Sequence, residues 1–121
     1  MEVEHVDFIS IVSQDVERSR RFYLETLGLP WECDTPVGFE VAAGQVTLSV
    51  WDPSKVGVPF APNPNDVALR VDDVAARRAE LEAKGVEFRG EILDTGVCHM
   101  AFFHDPDGNA LMLHRHYAPR D

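Results

Sequence analysis

Apolar and polar positions along this chain alternate with two different periods, and the switch between them happens twice. Ile9-Ser10-Ile11-Val12 and Val67-Ala68-Leu69-Arg70-Val71 read as short strands. In the second, Val67, Leu69 and Val71 share one face, the period-two pattern of a sheet packed on one side. Each strand is followed by Asp-Val, Asp15-Val16 and Asp73-Val74, and then by a run of helical periodicity. The aspartates suit N-caps, because their side chains can accept from free amides of the first helical turn. Gly28 and Gly85 suit the left-handed stop. The first helix should bury Val16, Phe22, Tyr23 and Leu27. Each copy closes with a hairpin turned at glycine, Gly44 between Phe39 and Leu48 and Gly108 between Phe102 and Leu111. Asp15 and Asp73 are 58 positions apart, and Gly28 and Gly85 are 57 apart. The pattern is a duplicated βαβββ unit, with module one over about 5–51 and module two over about 66–117 of a single domain, 1–121.

Between the modules, residues 52–65 carry Pro53, Pro59, Pro62 and Pro64. Proline lacks a backbone donor and resists helix interiors and central strands, so this segment reads as a stiff linker. Phe60 within it either lids a pocket or rides on a connector, and loops of this length are more often connectors.

The 121 residues suffice for one core, at 45% hydrophobic content. A net charge of -10 disfavours nucleic acid and anionic membranes. The N-terminus lacks a secretory pattern and no apolar run reaches the ~18 residues of a membrane span, which points to a cytoplasmic protein. Cys33 and Cys98 lack metal-ligand or redox-pair spacing and read as two reduced thiols acting as small apolar residues.

The run Ile11-Val12-Ser13-Gln14-Asp15-Val16-Glu17-Arg18-Ser19-Arg20-Arg21-Phe22-Tyr23, with Leu27-Gly28-Leu29, Val71-Asp72-Asp73-Val74 and Phe102-Phe103-His104-Asp105-Pro106-Asp107-Gly108-Asn109, resembles the vicinal oxygen chelate superfamily. That is the family of glyoxalase I, extradiol dioxygenases and bleomycin-resistance proteins, and the resemblance spans nearly the whole chain. It implies an α+β fold in which two tandem βαβββ modules curl their sheets into a half-open cup. It also implies a homodimer with cavities bounded by both chains, a bacterial source, and a small-molecule ligand. The Asp-Pro-Asp-Gly-Asn run has its own structural warrant, since Pro and Gly meet the dihedral demands of a tight hairpin.

Metal-binding members of the family place ligands near the starts of strands one and five and on the last strands of the modules. Such an ion holds and polarises neighbouring substrate oxygens. Counting seven residues back from the N-cap aspartates gives Phe8 and Asp66. Counting four past the hairpin glycines gives Leu48 and Met112, with Ser49 in place of Leu48 if the Val46, Leu48 and Val50 face packs under the helix. A lone carboxylate cannot hold a divalent ion tightly, so the family metal site reads as lost and no cofactor is expected.

The expected ligand cavity then comprises Phe8, Ser10, Leu48, Ser49, Trp51, Asp66, Met112 and His114. Of the histidines, His5, His99, His104, His114 and His116, the pair His114 and His116 shares a strand face. With Asp66 or His99 this pair offers an alternative, relocated metal site. Asp66 or His114 could otherwise serve as a metal-free base, which keeps a lyase, isomerase or dioxygenase in view as the rival to a binding protein. A third reading is a structural or regulatory module whose cup is filled by its own side chains. Trp31, Trp51, Phe39 and Phe60 read chiefly as core or dimer interface rather than as stacking platforms.

Overall fold

The computed structural model describes residues 1–119. The chain divides into two compact units, Met1–Asn63 and Pro64–Asp121. In the first, β1 (Ile9–Val12) leads into α1 (Val16–Arg20), and β2 (Trp31–Thr35), β3 (Gly38–Ala43) and β4 (Val46–Trp51) follow. In the second, β5 (Val67–Arg70), α2 (Val74–Ala83), β6 (Phe88–Asp94), β7 (Cys98–His104) and β8 (Ala110–His116) repeat that order. The sheets are ordered β1-β4-β3-β2 and β5-β8-β7-β6. In each, the first strand pairs parallel with the last and the other pairs are antiparallel.

Asp15 and Asp73 cap their helices as expected, each accepting from the amide three residues on, at 3.0 Å. The two helices end differently. After Arg20 the first widens into a π-helical segment, Arg21–Thr26, closed by the Leu27 amide donating to the Phe22 carbonyl at 2.8 Å. The second keeps α geometry and tightens at its last turn, where Lys84 donates to the Leu81 carbonyl at 3.0 Å. The offsets in the sequence explain the difference. The first copy has one more residue between its cap and its glycine, and a wide turn accommodates one extra residue while keeping the backbone hydrogen-bonded.

One face of each sheet packs beneath its helix. Tyr23 lies against Phe39, with ring centroids 6.5 Å apart, and the same face carries Ile11, Val41, Leu48 and Val50, all at most 1% exposed. In the second unit the Arg78 guanidinium sits 5.0 Å over Phe88, which meets Phe103 at 5.0 Å, with Leu111 and Leu113 buried alongside. Side chains alternate across a strand, so the opposite, open face of the first sheet carries Ser10, Ser49, Trp51 and Glu40. The open face of the second carries Ala68, Cys98, Met100, Phe102, Met112, His114 and His116.

The hairpin between β7 and β8 is held by Asp105. Its buried carboxylate accepts from the amides of Asp107 and Asn109 at 3.0 and 2.9 Å and from the Asn109 side chain at 2.8 Å. The proline-rich segment departs from its sequence reading at one point. Pro53–Val56 forms a short 3-10 turn capped by Asp52, with Pro53 buried at its first position. Proline is tolerated there, because that amide has no helical partner to lose.

Candidate functional site

The open faces hold most of the residues singled out from the sequence. In the first unit Phe8 stands just ahead of β1, about half exposed at 53%. Ser10 and Ser49 are register partners, and the Trp51 indole donates to the Ser10 hydroxyl at 2.5 Å. Leu48 is not among them. It is fully buried on the helix side beside Ile9 and Val41, so it belongs to the core, and Ser49 is the side chain that faces out. The count of four from the hairpin glycine reaches the face under the helix in this copy.

The aromatic residues divide as well. Phe39 is core, whereas Trp31 is 54% exposed with its indole donating to Asp34 at 3.0 Å. Trp51 is half-buried on the open face, where it can offer a ring to a ligand.

In the second unit Met112 lies between Ala68 and Phe102 on the open face, and His114 lies between Arg70 and Met100. Asp66 stands just ahead of β5, exposed, with its carboxylate 4.0 Å from the Arg89 guanidinium. The positions at which the resemblance would set a metal therefore present a phenyl ring, a hydroxyl, a carboxylate facing an arginine, and a thioether. Neither unit's pair, Phe8 with Ser49 or Asp66 with Met112, fits a hard divalent ion, which takes several oxygen ligands.

The relocated alternative assembles with different members. His114 and His116 meet edge to face, centroids 4.6 Å apart. Their nitrogens and the Cys98 sulfur all lie within 4.8 Å of one another. Asp66 does not join them. His114 lies beside Arg70, four residues farther along β5, about 13 Å at the usual strand rise. His99 is on the helix side, 3.4 Å from Asp94 and ring to ring with Tyr117 at 4.7 Å. His5 and His104 are exposed elsewhere. Cys98 is the member that sequence spacing missed. It pairs across the hairpin with His116, and counting outward from the Asp105-to-Asn109 turn would have found it.

Charge around the sites is local. Asp34 is held below the usual carboxylate range by hydrogen bonds from Arg20 and then Trp31. Asp94 is lowered by the Tyr117 hydroxyl, which donates at 2.7 Å, and by the Gly96 amide. The Cys33 thiol is pushed up by its hydrogen bond to Glu40, at 3.4 Å. Beside the helix N-termini lie two clefts. One, of about 310 Å³, is lined by Asp15, Arg20, Asp34 and Asp52 among others. The other, of about 500 Å³, is lined by Asp73, His99, Arg115, His116 and Tyr117 among others.

No curated protein matches the chain. Among solved structures, the antibiotic-binding protein TnmS3 from Streptomyces sp. CB03234 is 33% identical, with 93% of this chain and 96% of that one covered and a TM-score of 0.78. A glyoxalase/bleomycin resistance protein from the same organism is 29% identical, with 92% and 100% covered and a TM-score of 0.73. Lactoylglutathione lyase from Agrobacterium tumefaciens shares the fold at 16% identity, with 93% and 94% covered and a TM-score of 0.78. The model of the glyoxalase/bleomycin resistance protein/dioxygenase superfamily matches residues 5–113, and the chain belongs to that family.

Proposed function

We propose that this protein binds a small apolar or aromatic molecule on the open faces of its sheets, and does so without a metal at the family's ligand positions. The observation that carries the reading is what stands at those positions, Phe8 and Ser49 in the first unit and Asp66 and Met112 in the second, the one carboxylate facing Arg89. Two of those positions, Phe8 and Met112, offer a phenyl ring and a thioether where a metal enzyme would place charged or imidazole donors. Trp51, steadied by its bond to Ser10, supplies a ring for stacking. The 33% identity to an antibiotic-binding protein agrees with a sequestering role.

The test is titration of the full chain with a panel of flat aromatic compounds, followed by tryptophan fluorescence and calorimetry. Saturable binding that survives chelator and weakens roughly tenfold or more in Trp51→Ala, the loss of one good stacking contact, supports the reading. Absence of any binder, or binding that Asp66→Asn abolishes together with its dependence on an added divalent ion, overturns it. The rival enzyme reading draws on His114, half-buried on the open face. It requires turnover that His114→Ala removes while ligand still binds.

A further inference from the structure

We infer that Cys98, His114 and His116 form a binding site for a borderline-soft transition metal ion of the zinc class, displaced from the family's ligand positions. The inference stands independently of the ligand proposed above. Two histidines at i and i+2 on β8 put both imidazoles on one face. The hairpin register sets Cys98 directly across from His116, so three strong donors converge without any loop contributing.

Their ligand atoms lie within 4.8 Å of one another. Tetrahedral zinc needs donor separations of about 3.3–3.6 Å, given Zn–N near 2.0–2.1 Å and Zn–S near 2.3 Å. Closing from the observed spacing calls for a shift of about 1 Å, within reach of the two side-chain torsions of each histidine and the one of Cys98. The donor chemistry selects the ion, since thiolate and imidazole favour zinc, cobalt and copper over magnesium and calcium.

The surroundings suit a coordinated sulfur. The Cys98 amide donates to the Thr95 hydroxyl oxygen at 3.1 Å, and that hydroxyl lies 3.0 Å from the Cys98 sulfur, placed to donate to a thiolate. Such outer partners orient metal ligands and tune them. Met100, on the same face as Cys98 and across from His114, adds a thioether to the neighbourhood. His114 and His116 are both only partly buried, which gives an ion a path in from solvent. On binding, the Cys98 thiol gives up its proton to solvent as the sulfur–metal bond forms, and the imidazoles bind neutral. Three protein donors leave a fourth position for water or an exogenous ligand.

The experiment uses the full chain, reduced and freed of metal, titrated with Co2+ as the spectroscopic stand-in and then with Zn2+. The expected result is a thiolate-to-cobalt charge-transfer band that saturates at one equivalent and is displaced by Zn2+. Cys98→Ser should abolish the band, Cys33→Ser should leave it intact, and His114→Gln should weaken binding roughly 10-fold or more, since losing even an outer partner of a metal ligand costs about that much. No charge-transfer band in the unmodified protein overturns the inference. So does a band that Cys33→Ser removes, or one that His114→Gln leaves at full strength. Because these last outcomes do not depend on Cys98→Ser folding, the inference remains refutable if that variant is unstable.

Discussion

Replacing Leu48 with alanine separates core from site at two adjacent positions. Leu48 is fully buried in β4, which is hydrogen-bonded on both sides, to β1 and to β3. Its neighbours Ile9 and Val41 are held by those ladders and can move little into a void. A Leu→Ala change loses about 2 kcal/mol of transfer free energy plus about 24 cal/mol per Å³ of unfilled cavity, so a site that collapses poorly should lose about 3–4 kcal/mol. For a chain of this size that lowers the melting temperature by roughly 10–15 °C. Ser49, half-buried on the open face, should lose less than about 0.5 kcal/mol on mutation to alanine. The assay is thermal unfolding followed by circular dichroism. A Leu48→Ala loss under about 1 kcal/mol, or equal losses at both positions, would refute the assignment of faces.

Other consequences can be checked the same way. At Gly38 an added methyl would run into the Val50 carbonyl oxygen and lie 2.9 Å from the Trp51 Cα, all backbone, so Gly38→Ala should cost about 3 kcal/mol or more. Gly44, at φ 64° with open space around it, should lose only about 1–2 kcal/mol on the same change, in the same melts. Asp94 is held below the usual carboxylate range because Tyr117 donates to it. Its contribution is present above the ordinary carboxylate range and is lost as pH falls through the lowered folded pKa, so Tyr117→Phe should flatten the acid limb of stability against pH in denaturant titrations. The Cys33 thiol, pushed up by Glu40, should alkylate slowly near pH 8, and Glu40→Gln should speed it in timed iodoacetamide labelling.

The duplicated order of elements was readable because both signals that define it are local. An N-cap aspartate and a stop glycine act within one turn, and strand alternation acts within a few residues. Leu48 against Ser49 was harder, since one position of error in a strand moves a side chain to the other face. The histidine pair was visible from spacing alone. Cys98 was not, because its nearness to His116 depends on where the β7–β8 hairpin turns. Asp66 looked like a member by its chemistry, yet the parallel register of β5 with β8 leaves it at the far end of the strand from His114.

The widened turn at Arg21–Thr26 has a bearing on how the two copies can diverge. In a strict α-helix an inserted residue rotates everything beyond it by about 100°, which would swing the chain out of line with its sheet. Here the surplus residue is taken up inside the wide turn, and Gly28 still ends the helix in the left-handed conformation, as Gly85 does in the other copy. The first helix therefore behaves as a length buffer. One-residue deletions should be tolerated better within 21–26 than within 74–83, where no slack exists to absorb them.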